Sequence, residues 1–191
     1  DAYRFEVSAH RWVRLENASR SWAIANDATY GWDVTRHQND RRGTWSQVRA
    51  TLVKSARFPD PDQDQGQHQW NFRIVPDASV LEAVAAGQQI NLGEREVSGA
   101  PVDAPFSVDG AVVESVALAP DRSGDLVIRL YEAEGGPSRV TFRAPKAGSV
   151  TACDLRYRPS KSEPELRGGQ GEWSFDLSAF QITTLRVSFA K

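Results

Sequence analysis

Short runs that alternate apolar with polar residues recur along the chain, and they confine it to β structure. Residues 3–8, 11–15, 22–25, 48–53 and 69–75 carry this pattern in the first half, the last two reading Val-Arg-Ala-Thr-Leu-Val and Gln-Trp-Asn-Phe-Arg-Ile-Val. Successive side chains of a strand point to opposite faces, so a period of two is what a half-buried strand demands. Further runs follow at 112–118, 126–131, 139–142, 150–155, 173–177 and 182–189. Turn signals separate them: Asn26-Asp27, Asn39-Asp40 with Gly43, Pro59-Asp60-Pro61, Gly135-Gly136 and Gly168-Gly169. Many short strands at such spacing predict an all-β protein built from sandwiches.

One segment breaks the pattern. In residues 79–86, Val80, Leu81 and Val84 share a helical face, with Asp77 or Ser79 placed to cap the start and Gly87 to close the end. A single short helix is expected there. Residues 98–105 (Ser-Gly-Ala-Pro-Val-Asp-Ala-Pro) have no hydrophobic periodicity and suit a linker. The expected organisation is a β region over 1–97, a linker over 98–109 and a small sandwich over 110–191. The first region is the less complete of the two, as if its sheet had members elsewhere.

Hydrophobic residues make up 40% of the 191 positions, enough to build a core. A formal charge of −2 gives no electrostatic ground to expect nucleic acid or an anionic membrane as partner. No apolar run is long enough to span a bilayer, and no leader pattern is visible. Cys153 is the sole cysteine and lies in a strand-like run, so it is expected as a small buried hydrophobe without a neighbouring base. These features suit a cytoplasmic protein. The lack of methionine and the start at Asp1 suggest a piece of a longer polypeptide.

The densest polar stretch is 59–68, with Asp60, Asp62 and Asp64 at alternate positions. An EF-hand loop needs glycine at its sixth position and glutamate at its twelfth, whereas counting from Asp60 gives Gln65 and Asn71. A glycosidase needs two carboxyls about 5–10 Å apart across a sugar, which neighbours in one loop rarely achieve. His10, His37 and His68 have no metal-ligand spacing, and no nucleophile elbow or phosphate loop is present. No self-contained catalytic or metal site is therefore expected. Six tryptophans remain, and indole faces can stack on the C–H faces of sugars. Trp12 and Trp70 fall in strand patterns and suit a core. Trp45 follows the polar Arg41-Arg42-Gly43-Thr44 and is expected to be exposed.

These residues together resemble the C-terminal region of the family 38 glycoside hydrolases, the α-mannosidases. The resemblance is carried by Arg11-Trp12 and Tyr30-Gly31, then Pro59-Asp60-Pro61 with Asp64, Gly66 and His68, then the strand at Trp70-Asn71-Phe72. The helix around Ala83 and a turn at Ile90-Asn91-Leu92 fit as well. In the second half, Leu126 to Glu132 with Gly135, and the closing Phe180-Gln181-Ile182-Thr183-Thr184-Leu185, resemble the family's strands, with Gln181 standing where glutamate is usual. The resemblance implies part of a mutarotase-like super-sandwich followed by a small terminal sandwich. It implies a parent enzyme that hydrolyses α-mannosides with zinc and retention of configuration, in a catalytic domain N-terminal to this segment. No catalytic residue, metal ligand or cofactor is carried over to this chain. Its implied partners are that catalytic domain and mannose-containing glycans. Asp40-Arg41-Arg42-Gly43 loosely resembles a family loop near the sugar, so Arg42, Trp45, Asp64 and His68 are the candidate substrate contacts. The alternatives are an autonomous carbohydrate-binding module, suggested by the tryptophans, and a purely structural sandwich.

Overall fold

The computed structural model describes residues 5–41, 43–94 and 96–189. They fall into two units, Asp1–Glu96 and Val97–Lys191.

The first unit holds six strands and a helix: β1 (Val7–Ser8), β2 (Trp12–Glu16), β3 (Ser21–Asn26), β4 (Gly31–Asn39), β5 (Gly43–Ala50), β6 (Phe72–Pro76) and α1 (Val80–Asn91). Two antiparallel three-stranded sheets result, in the orders β1-β4-β5 and β2-β3-β6. β4 had no clear signal in the sequence. Beyond Trp32 and Val34 it is polar, and it is held by its hairpin with β5, from Trp32 opposite Ala50 to Asn39 opposite Gly43. Two expected strands shift. The run at 48–53 pairs only as far as Ala50, and the run at 69–75 begins its ladder at Phe72. The second shift has a local cause: Asp27 takes both the backbone N–H of Asn71 (3.0 Å) and its side-chain amide (2.6 Å).

α1 starts as expected in a capping box. The Ser79 hydroxyl accepts the Glu82 N–H at 3.2 Å, and the Glu82 carboxylate accepts the Ser79 N–H at 2.8 Å. It does not end at Gly87. It runs to Asn91, so the expected Ile90-Asn91-Leu92 turn is in fact the helix's last residues and its C-cap. Gly87 is buried inside the helix because the helix presses there onto β2. A Cβ on Gly87 would lie 2.9 Å from Cδ1 of Trp12 and 3.2 Å from Cβ of Arg11. The rest of the contact is equally slim: Ala23, Ala78 and Ala83, flanked by Trp12 and Val75. The side chains of Arg14 and Ser21 both donate to the Ala78 carbonyl, at 2.6 and 2.7 Å, and so anchor the entry to the helix. Gly→Ala in an exposed helix interior stabilises by roughly 1 kcal/mol. Here the methyl must part helix from strand, so Gly87→Ala is expected to lower the unfolding temperature, read by calorimetry against the wild type.

The second unit contains β7 (Ser107–Asp109), β8 (Val112–Leu118), β9 (Leu126–Tyr131), β10 (Ser138–Arg143), β11 (Ala147–Cys153), β12 (Arg167–Gly169), β13 (Glu172–Leu177) and β14 (Ile182–Phe189). Two antiparallel four-stranded sheets, β12-β13-β10-β7 and β11-β14-β9-β8, share one core. Val140, Phe142, Phe175 and Leu177 come from the first sheet; Ile128, Leu130, Leu185 and Val187 come from the second, and all are buried. The alternation seen in the sequence explains this: in β10, Arg139, Thr141 and Arg143 point away from the face that Val140 and Phe142 bury. The all-β expectation holds, and β8, β9 and β14 occupy the expected residues. Two short edge strands were not foreseen. β7 lies within the stretch expected as linker, and β12 includes Gly168-Gly169, expected as a turn. Cys153 is buried at the end of β11, as expected, and burial pushes its thiol pKa up.

A single carboxylate ties the two motifs of this half together. Glu132 is only 3% exposed. It accepts backbone N–H groups from Glu134 (2.6 Å), Gly135 (2.9 Å) and, across the fold, Phe180 (2.9 Å). Next to Phe180, Gln181 accepts the Ser178 N–H at 2.8 Å through its amide oxygen. An amide oxygen serves that purpose as a carboxylate would, which accounts for glutamine at this position.

Candidate functional site

Two clefts indent the first unit, and they divide the candidate residues between them. The first has a volume of about 740 Å³ and includes Asp64 and His68. Three segments build it. The first is the turn into β4, where the Tyr30 carbonyl accepts the Ala9 N–H and the Gly31 carbonyl accepts the Thr51 N–H, both at 2.9 Å. The second is the chain leaving β5, with Thr51 and Lys54. The third is the loop before β6, closed on itself by Asp64, whose carboxylate accepts the Ser55 N–H (3.1 Å) and whose carbonyl accepts Nε2–H of His68 (2.9 Å).

Glu6 lies across the first two segments. Its carboxylate accepts the Thr51 hydroxyl and pairs with the Lys54 ammonium at 3.1 Å. The Thr51 hydrogen bond, then that from Lys54, hold its pKa below the usual carboxylate range, so it is an anion at neutral pH. Gly31 makes room for it, because a Cβ there would collide with the Glu6 carboxylate. Asp27 is likewise held low, first by the Asn71 backbone N–H and then by its side chain. That pair fixes the residue that follows Trp70.

Aromatic rings complete the wall. Tyr30 is 57% exposed and stacks on His10, with ring centroids 5.3 Å apart and planes at 29°. Trp70 is half-buried and stacks on His68 at 5.3 Å and 20°. The cleft thus offers aromatic faces beside a carboxylate, an ammonium and a hydroxyl. That chemistry suits hydrogen bonding and stacking. Among the described residues, no three His, Cys, Asp or Glu side chains gather where they would hold a metal, so the zinc implied by the resemblance finds no ligand set in them.

The second cleft, of about 820 Å³, lies between the two sheets of this unit and is more apolar, with Trp22, Ile24, Val34, Val48 and Ile74 in its wall. Trp45 borders this cleft and not the first. It sits in β5 and not in a polar loop, opposite His37, and stacks on it at 5.2 Å and 21°. That contact leaves it half-buried, and Trp22, 42% exposed, is the more open indole. Arg42 lies outside the described residues. Asp64 and His68 are therefore brought together, and Trp45 is set apart from them. Tyr30 and Glu6 also line the first cleft and were not among the candidates. Tyr30 had a signal, an aromatic–glycine pair just after a turn; Glu6 had none, since its place depends on a bare backbone at Gly31.

The fold defines the class: an all-β protein whose second half is a two-sheet antiparallel sandwich. Residues 110–185 match the glycosyl hydrolases family 38 C-terminal beta sandwich domain. Over 97% of its length the chain is 32% identical to human alpha-mannosidase 2C1. It is 26% identical to alpha-mannosidase G of Dictyostelium discoideum over 97% of its length, and 26% identical to an alpha-mannosidase of Saccharomyces cerevisiae over 99%. The resemblance to the C-terminal region of the family 38 glycoside hydrolases is thereby confirmed. The chain spans 18% of the length of the human and Dictyostelium relatives.

Proposed function

We propose that this chain is the C-terminal accessory segment of a zinc-dependent, retaining α-mannosidase, and that it steadies the catalytic domain and forms part of the wall of its sugar cavity. The observation that carries this reading is the reach of the similarity, which crosses both units yet covers under a fifth of each relative. The open apolar cleft between the first unit's sheets supports it: Val34 and Ile74 stay 51% and 64% exposed, a surface that suits completion by further strands of a mutarotase-like sandwich. Zinc, held in the catalytic domain, would polarise sugar hydroxyls, and a carboxylate pair there would carry out hydrolysis of mannose-containing glycans. This segment's part is to hold shape and present Glu6, Asp64 and His68 at the cavity, with Arg42 a further contact. The cytoplasm is the proposed compartment.

The test is turnover of an aryl α-mannoside. The 191-residue chain should show none, with or without added zinc. The complete polypeptide should hydrolyse the substrate and lose that activity when this segment is removed. Zinc-dependent turnover by the chain alone, or a complete polypeptide inactive on α-mannosides, overturns the reading.

A further inference from the structure

We infer that β8 is an association edge: it pairs with β8 of a second copy of this chain, antiparallel about a two-fold axis through Ala117, and joins two four-stranded sheets into one. The pairing involves only the second unit, so it stands whether or not the segment serves an α-mannosidase.

A strand at a sheet edge offers unpaired backbone N–H and C=O groups, and folds usually blunt such an edge with lysine, proline, a bulge, short length or a cover. The second unit has four edge strands, and three are blunted. β7 and β12 have three residues each. β11 has residues 159–166 beside it; they touch it at the Cys153–Pro159 bridge and share the walls of one groove with Val150, Thr151 and Ala152. β8 is seven residues long and ends its sheet, pairing among the described strands with β9 alone. Its bulge lies near its start, between Val113 and Ser115, and Glu114 is its one charged residue. The stretch from Ser115 to Leu118 carries no charge and no proline, and all four residues are exposed.

Apolar surface marks the same stretch. Val116 and Leu118 stand opposite Ile128 and Leu126, which places them on the inner face, yet they are 49% and 69% exposed. The facing sheet ends at the short β7 and leaves this end of β8 uncovered.

A second β8 satisfies both needs. With Ala117 opposite itself, Val116 of each copy meets Leu118 of the other on the inner face, and cross-strand pairs of this kind stabilise a sheet. Glu114 falls opposite Pro120, so the two acidic side chains do not face each other. Pro120 has no N–H to donate, so the ladder ends there. An isologous contact closes on itself and yields a dimer, not a fibre. A single strand pair makes a small interface, so the association is weak.

The experiment is sedimentation equilibrium of the 191-residue chain between about 10 μM and about 1 mM, where a monomer–dimer equilibrium is expected. Ala117→Lys sets like charges across the axis and should weaken the dimer about tenfold or more, and an equimolar mixture of Ala117→Lys with Ala117→Glu should recover it. Unchanged melting by circular dichroism shows that these variants fold. Under mild oxidation Ala117→Cys should form a disulfide-linked dimer, because opposed residues of an antiparallel pair have Cα atoms about 4.5–5.5 Å apart, within disulfide reach. The wild type should stay unlinked, since Cys153 is 1% exposed. Thr151→Cys, at an exposed position on β11, should link far more slowly than Ala117→Cys. A chain that stays monomeric over the whole range overturns the inference. So does a dimer indifferent to Ala117→Lys, a mixture that recovers nothing, or Thr151→Cys linking as fast as Ala117→Cys.

Discussion

Replacing Glu132 with alanine is expected to lower the unfolding temperature of the second unit's sandwich by about 10 °C or more. Three backbone N–H groups converge on this carboxylate, from Glu134, Gly135 and Phe180, and Glu132 itself is only 3% exposed. Alanine leaves those part-buried donors without their acceptor, and donors that lose a partner away from full solvent are costly to a fold. It also releases Phe180, a non-glycine residue held at a φ of 57°. Glu132→Gln should lie between alanine and wild type, since an amide oxygen can accept two of the N–H groups while its NH2 opposes the third.

The pH dependence has a defined sign. The Phe180 N–H first, with those of Glu134 and Gly135, holds the Glu132 carboxyl below its ordinary value of 4.5, against an opposing effect of burial. A carboxyl lowered in the folded state adds stability that is fully present above the unfolded value and is lost as pH falls through the folded one. The gap between wild type and Glu132→Gln should therefore be widest at neutral pH and close progressively below about pH 4.5. Melting curves followed by circular dichroism at neutral and acid pH measure it. Other carboxylates also titrate at acid pH, among them Asp121, held to about 2 by Ser123 and then Arg186. Their share is common to both proteins and cancels in the difference. A gap that stays constant with pH would remove Glu132 from its place as the clasp.

The same residue shows what was legible in the sequence and what was not. Residues 126–131 and 182–189 were readable as strands because they are short runs rich in apolar and β-branched residues. That one carboxylate joins them was not readable, since its partners are backbone N–H groups with no residue signature. The helix start at Ser79 was readable because capping is local chemistry. Its end was misjudged because Gly87 serves a tertiary contact with Trp12, and close packing kept the helix going past a residue that usually stops one. β4 escaped notice for the opposite reason: most of it is exposed, and strand pairing rather than burial holds it. Asp64 and His68 were legible as neighbours because they sit in one loop, where they bond to each other. Trp45 was expected after a polar loop because Arg41 to Thr44 read as one, whereas the hairpin resumes at Gly43. Glu6 and Tyr30 come from different strand ends and meet only through the sheet.

Trp32→Ala should unfold the first unit or cost it about 3–5 kcal/mol, whereas Trp32→Phe should stay within roughly 1 kcal/mol of wild type. Among the described residues of this unit, Trp32 is the one large apolar side chain that is fully buried; its apolar companions in the interior are Ala23, Ala25, Ala78, Ala83, Val84 and Ala86. It stands opposite Val7 in β1 and Ala50 in β5, and meets Phe72 of the other sheet edge-on at 6.3 Å. It therefore joins both sheets, and alanine would open a cavity between them. Phenylalanine keeps most of the ring. It also removes the indole N–H, which is buried and has no acceptor among the described residues, a defect worth roughly 1–3 kcal/mol that offsets the lost volume. Trp32 follows Tyr30-Gly31 directly, so the same packing sets the ring and the bare backbone against which Glu6 lies. Denaturant midpoints measured on the two variants test the expectation. Phenylalanine as damaging as alanine would mean that the indole N–H has a partner and that Trp32 is held by a hydrogen bond rather than by its volume.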